Sequence, residues 1–367
     1  MTAPLLKHQI NPALVQRIAT ACLQQDSHFA SASFLQLALS SEFDQLELKQ
    51  RIRHCASALY QALDRPFAEA CQLLLPVSSQ FSGIPGFIFP DLVEQYGLAE
   101  PELSLQTLAH FTCFSTAEFA IRPFLLRYPA QTLQQMLQWA HSDNHHLRRL
   151  ASEGCRPRLP WGQALQPFKR DPTPLLPILQ QLKADPSEYV RRSVANHLND
   201  ISKDHPQLAL TLATSWYGQH PATDWIVRHA MRGLLKQRQP QALQLFGYQP
   251  LALKVQLTLN QPAIRLGERL NFQVHLSGAA TARLRLEYAI DFAGKQGGSR
   301  PKVFQWLDRQ LSEPELQLSR SYQFKDLTTR KHYTGEHQLS IIVNGQIMAQ
   351  QQFRVLPATA EQTSTGF

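Results

Sequence analysis

The sequence predicts a multidomain chain, an all-α repeat solenoid followed by an all-β sandwich, and three observations carry that expectation. Apolar residues recur with a helical period up to about Phe246 and with a period of two after Tyr248. One short motif returns three times in the helical half, at spacings of 43 and 37 residues. The length, 367 residues, exceeds a single ordinary domain of roughly 100–200 residues.

The helical half contains runs such as Leu133-Gln-Gln-Met136-Leu137-Gln-Trp139-Ala140 and Leu175-Leu176-Pro-Ile178-Leu179-Gln-Gln-Leu182, with apolar residues at i, i+3, i+4 and i+7. Prolines punctuate it at Tyr128-Pro129, Asp171-Pro172, Asp185-Pro186 and His220-Pro221, where a residue without an N–H ends one helix and opens the next. Short antiparallel helices are the expectation. The recurring motif is an Asp, a short gap and an apolar-Arg-basic triplet: Asp143 with Leu147-Arg148-Arg149, Asp185 with Val190-Arg191-Arg192, Asp224 with Val227-Arg228-His229. Its spacing is close to the roughly 40–47 residues of HEAT and armadillo repeats. Residues 1–246 are therefore expected to form a HEAT-like solenoid in which each Asp caps the second helix of its unit.

After Tyr248, Leu253-Lys-Val255-Gln-Leu257, Leu270-Asn-Phe272-Gln-Val274, Leu284-Arg-Leu286-Glu-Tyr288 and Leu339-Ser-Ile341 alternate apolar and polar, and Asn344-Gly345 marks a tight hairpin turn. About seven such strands over residues 247–357 predict an immunoglobulin-like sandwich. It has no cysteine and hence no inter-sheet disulfide. Residues 358–367 read as a disordered tail.

The five cysteines, Cys22, Cys55, Cys71, Cys113 and Cys155, are odd in number and follow no metal-ligand spacing, so reduced core thiols are expected, without disulfide or metal. No apolar run approaches the about 20 residues of a membrane span, and the first residues lack a signal-type apolar stretch, which suggests the cytoplasm. Thirty-six Lys and Arg against 28 Asp and Glu give +8. Residues 1–143 carry 8 basic and 12 acidic residues, residues 144–247 carry 14 and 7, and residues 248–367 carry 14 and 9. A polyanion partner is therefore expected at the middle and C-terminal parts, with the N-terminal helices as scaffold.

Phosphate-cradling loops, nucleophile elbows and zinc-ligand helices are absent from the sequence. Two other patterns stand out. Arg148, Arg149, Arg191, Arg192, Arg228 and Arg232 recur on the second helices of repeats, where stacking would align them for phosphates; alternatively, the first Arg of each pair is tied to its own repeat's Asp. Glu118, Glu153 and Asp200 each interrupt an apolar or small-residue context, as reactive carboxylates or as caps and structural pairs. Trp161, in the loop Leu159-Pro-Trp161-Gly162, has a π-face available for a base or a cation, or else packs.

The stretch Arg148-Arg-Leu-Ala-Ser-Glu153-Gly154-Cys-Arg156-Pro-Arg158-Leu-Pro160-Trp161-Gly162, with Tyr189-Val-Arg191-Arg192-Ser-Val-Ala-Asn196-His197-Leu-Asn-Asp200, resembles the bacterial AlkC-type DNA alkylation-repair glycosylases, HEAT-like solenoids with a branch carrying a C-terminal immunoglobulin-like domain. The second stretch also resembles their AlkD-type relatives. The resemblance implies a cofactor-free, metal-free monomer that hydrolyses the N-glycosidic bond of 3-methyladenine and 3-methylcytosine in double-stranded DNA. It implies Glu118, Glu153 and Asp200 as catalytic carboxylates and Trp161 as a pocket residue. The arginines above, with Arg156 and Arg158, would hold phosphates. Loop residues Lys295, Arg300 and Lys302, and Arg330, Lys331 and His332, would let the second domain grip the duplex. The rival expectation is a non-catalytic HEAT-repeat DNA-binding or scaffold protein.

Overall fold

The computed structural model describes residues 5–278, 281–294, 299–326 and 331–358. Compactness divides the chain into two units, Met1–Ala230 and Met231–Phe367. The division precedes the change of period, because the short helices Arg232–Lys236 and Pro240–Leu245 belong to the second unit; there Leu243 lies so close to Gly345 that a Cβ on that glycine would sit 2.4 Å from its Cδ1.

The first unit is all-α in its regular structure. Proline opens the helices Pro12–Gln25, Pro101–Phe111, Pro129–Trp139, Pro206–Trp216 and Pro221–Ala230, at a position whose N–H has no partner in any helix. The three helices carrying the repeated motif are His145–Glu153, Glu188–Asp204 and Pro221–Ala230, and the middle one packs against both others, as stacked repeats require.

Two local expectations need correction. Asn144, not Asp143, caps His145–Glu153 through its side chain, and Asp224 lies inside its helix, accepting from the Gly218 N–H at 2.6 Å. In the first two repeats the first Arg bonds carbonyls near its own Asp and not that Asp's side chain. Arg148 donates to the Ser142 and Asp143 carbonyls (2.9 and 2.8 Å), while its Nε and Nη2 reach Asp185 of the next repeat at 2.6 and 3.1 Å. Arg191 makes the same carbonyl contacts one repeat on, to Asp185 and Pro186. Arg148 thus fastens neighbouring repeats together.

In the second unit the described residues form eight strands: β1 Lys254–Leu259, β2 Ala263–Arg265, β3 Arg269–Ser277, β4 Ala282–Ala293, β5 Ser299–Leu311, β6 Glu315–Gln323, β7 Gly335–Val343 and β8 Gln346–Leu356. They form a three-stranded sheet, β1-β3-β6, and a five-stranded sheet, β2-β8-β7-β4-β5. Alternate residues such as Leu270, Phe272 and Val274 of β3 and Leu284, Leu286, Tyr288 and Ile290 of β4 supply the buried core. The β7–β8 turn has φ of 45° at Asn344 and 83° at Gly345, the two left-handed residues that the Asn-Gly pair predicts.

Candidate active site

The three candidate carboxylates come together in one alternating chain of charges. Arg149 and Glu153 lie one turn apart on His145–Glu153, Arg156 follows that helix, and Asp200 and Lys203 share a face of Glu188–Asp204. Glu118, in the turn before Arg122–Arg127, forms an ion pair with Arg149. Arg149 stands 3.6 Å from Glu153; Arg156 donates to Glu153 at 2.6 Å and to Asp200 at 2.9 Å; Lys203 donates to Asp200 at 2.9 Å. Burial by itself would depress Arg149 and Arg156, but the flanking carboxylates outweigh it and hold both guanidinium groups above their ordinary pKa.

The hydrogen bonding separates the carboxylates. Both oxygens of Asp200 are taken, by Arg156 and Lys203. Glu153 accepts from Arg156 on Oε1, with Arg149 as a longer ion-pair partner of the same oxygen, and Glu118 accepts from Thr116 (2.9 Å) and pairs with Arg149 on Oε2. Among the described residues Glu118 Oε1 and Glu153 Oε2 accept no hydrogen bond, which leaves them available to a water or a substrate. Close packing allows this approach: a Cβ on Gly154 would lie 2.6 Å from Ile121 Cγ2, so only glycine lets the end of His145–Glu153 sit against the segment following Glu118.

Trp161 stands beside this chain, 63% exposed and with a left-handed φ of 63°. Its loop is anchored by buried Arg122, which donates to the Gly154 carbonyl at 2.9 Å and the Gln163 carbonyl at 2.6 Å, and by Lys49, which donates to the Trp161 carbonyl at 2.8 Å. Burial pulls Arg122 down to about 10. Trp161 lines a cavity together with Thr116, the hydroxyl that also touches Glu118 and Arg149.

Comparison with known proteins gives concordant results. Residues 104–234 match the family described as DNA alkylation repair enzyme, and residues 254–357 match the C-terminal Ig-like domain of the uncharacterised protein YhaZ. YhaZ of Bacillus subtilis (strain 168), described as uncharacterised, is 44% identical over 95% of this chain and 99% of its own. The alkylpurine DNA glycosylase AlkC of Pseudomonas fluorescens, solved bound to DNA containing an abasic site analog, is 38% identical, with a TM-score of 0.93 over 96% of this chain and 100% of that one. The chain belongs to the AlkC-type DNA alkylation-repair family.

In this AlkC-type chain the arginines expected at phosphates differ in their surroundings. Arg149 and Arg156 are engaged by carboxylates inside the site, and Arg148 by Asp185. Arg191 is held by carbonyls. Arg158 makes a two-pronged pair with Asp204 at 3.0 and 2.6 Å but keeps 37% of its side chain exposed. Arg192 is 63% exposed and pairs with Glu188 of its own helix; Arg228 is exposed beside the Tyr217 ring; Arg232 opens its short helix, partly buried. In the second unit Lys302 and Lys331 are exposed, whereas His332, predicted as a loop contact, is buried among aromatic rings. Lys295, Arg330 and nearly all of the predicted tail lie outside the described residues, as does the side chain of Arg300.

Four participants were not singled out in the sequence: Thr116, Arg122, Lys49 and Tyr189, whose ring carries the Arg149 guanidinium at 5.0 Å and is itself 44% exposed. A signal existed for Thr116, two residues before Glu118, and for Tyr189, which opens the second motif. Nothing local marks Lys49, 112 residues from its partner. Among the described residues no group of three or more His, Cys, Asp or Glu could hold a metal, and no helix is long and apolar enough to cross a membrane. The five cysteines are free, four of them buried.

Proposed function

We propose that this chain is a DNA glycosylase that removes cationic N3-methylated bases, 3-methyladenine and 3-methylcytosine, from double-stranded DNA. The observation that carries the reading is the pair of carboxylate oxygens, on Glu118 and Glu153, that accept no hydrogen bond among the described residues and are held in place by arginines beside an exposed tryptophan. The likeness to AlkC over nearly the whole chain supports the same class of reaction.

The chemistry suits such a site. An N3-methylated base already bears a positive charge, so the glycosidic bond can break with its electron pair passing to the base, which leaves neutral without protonation by a general acid. The sugar then carries oxocarbenium charge at C1′. A carboxylate oxygen near it stabilises that charge, while a second accepts a hydrogen bond from the water whose oxygen bonds to C1′ and whose proton passes to the carboxylate or to solvent. Asp200, with both oxygens occupied, acts by holding Arg156 and through it Glu153. Trp161 offers its π-face to the cationic base. The exposed Arg192 and Arg228, with the half-buried Arg158 and Arg232 and with Lys302 and Lys331, serve the DNA backbone.

Incubation with methylated duplex DNA and chromatographic identification of released bases tests the proposal. Release of 3-methyladenine or 3-methylcytosine is expected, and its absence above background would overturn the reading. Glu153→Gln should lower the single-turnover rate about 10²-fold or more while leaving duplex affinity intact.

A further inference from the structure

The cavity that Trp161 lines extends away from the carboxylate chain, into the N-terminal helices that the charge distribution marked as scaffold. It holds about 270 Å³ between the helices Leu48–Leu63 and Ile88–Tyr96 and the segment that carries Thr116 and Phe119. We propose that this cavity receives the methylated base after the glycosidic bond has broken, as a product site contiguous with the place of cleavage; the inference rests on the glycosylase reading above.

Size, walls and polar groups each point to a single nucleobase. Ligand cavities usually span roughly 300–1,000 Å³, and this one lies just below that range, which suits a small flat heterocycle. Phe87, Phe119 and Trp161 supply aromatic surfaces, Phe87 and Phe119 meeting at 6.0 Å with an interplanar angle of 68°. The polar groups are of both kinds. Asp91 and Glu94 accept, Arg53 donates, and a base edge with amino and ring-nitrogen positions needs both, whereas a phosphate needs donors alone.

Asp91 is the best-placed acceptor. Gln95 donates to its Oδ2 at 2.8 Å, while Arg53 stands 3.9 Å from its Oδ1, beyond hydrogen-bond distance, and among the described residues no hydrogen bond to that oxygen is made. The Arg53 guanidinium prefers Glu94, at 3.2 Å. Burial, with Glu94 adding to it, pushes Asp91 up to about 6 against the opposing pull of Arg53, Gln95 and Lys49. A carboxylate so short of donors gains from a ligand N–H. Trp161 and Thr116 connect this cavity to the carboxylate chain, so a base leaving the sugar need only slide past the tryptophan to reach it.

The test is titration of free 3-methyladenine into the full-length protein, followed by calorimetry or tryptophan quenching, in parallel with single-turnover base release from methylated duplex. Saturable binding is expected. Asp91→Asn, Glu94→Gln and Phe119→Leu should each weaken it by about tenfold or more, with melting curves recorded to establish that the variants fold. Absence of saturable binding up to millimolar base, or unchanged affinity in all three variants, overturns the proposal. Base release without free-base binding sinks the product site alone. Free-base binding without release sinks the glycosylase reading and leaves the cavity's ligand standing.

Discussion

Replacing Arg156 with methionine should destabilise the helical unit more than almost any other single change. The guanidinium bonds Glu153 and Asp200, whose side chains are only 8% and 2% exposed, so its removal strands two buried negative charges. Breaking a buried pair by deleting one partner costs about 3–5 kcal/mol. Asp200 keeps Lys203 and Glu153 keeps Arg149, which places the expected loss at the lower end, ~3 kcal/mol. For a unit of this size each kcal/mol moves the midpoint by about 2–4 °C, giving a drop of about 6–12 °C. Tryptophan fluorescence reads it directly, because Trp139, Trp161, Trp216 and Trp225 all lie in the first unit. Arg156→Lys should fall between, keeping the charge and losing the fork that spans both carboxylates. Adding Asp200→Asn to the methionine variant should return part of the loss by removing one stranded charge. A midpoint for Arg156→Met within about 2 °C of the wild type would refute the view that this arginine holds the site together.

Three further predictions follow from other contacts. His197 is fully buried, with Nδ1 donating to the Ser152 carbonyl at 2.9 Å and Nε2 unpartnered, and burial, aided by Arg156, pulls its pKa down to about 3. Because the unfolded chain then binds the proton more tightly, stability is complete above about pH 6.5 and declines as the pH falls toward 3. By pH 5 the loss should be on the order of 2 kcal/mol, read from denaturant melts, and His197→Gln should flatten this slope; parallel wild-type and variant profiles would contradict it. Gly154→Ala should cost about 1–3 kcal/mol despite alanine's better helix propensity, since its Cβ would sit 2.6 Å from Ile121 Cγ2 and 3.0 Å from the Leu150 carbonyl oxygen; a midpoint at or above wild type would show that the packing yields. Arg192→Ala should weaken duplex binding and reduce the slope of log affinity against log salt by about 0.9, with the melting midpoint almost unchanged; an unaltered slope would remove Arg192 from the interface.

How much of this was legible in the sequence differs between fold and site. Helical period, proline punctuation and the 43-residue return of the Arg motif anticipate the stack of His145–Glu153 on Glu188–Asp204, because each of these signals is local. The Asn344-Gly345 turn was legible for the same reason. The candidate carboxylates stood out as polar residues in apolar surroundings, yet the arginines beside them looked like phosphate ligands. Arg156 bonds Asp200 across 44 residues of sequence and Arg148 bonds Asp185 across 37, so the same residue type at the same repeat position can be internal or external.

The sequence by itself determined the two-part architecture, the repeat spacing and the family, since periodicity and motif order are properties of consecutive residues. Only the tertiary structure decided which arginines neutralise carboxylates, which carboxylate oxygens stay open, and that the acidic N-terminal helices enclose a cavity beside Trp161. Those outcomes depend on which distant side chains share a buried volume: a guanidinium brought within 3 Å of a buried carboxylate is fixed there by the cost of leaving either charge unpaired.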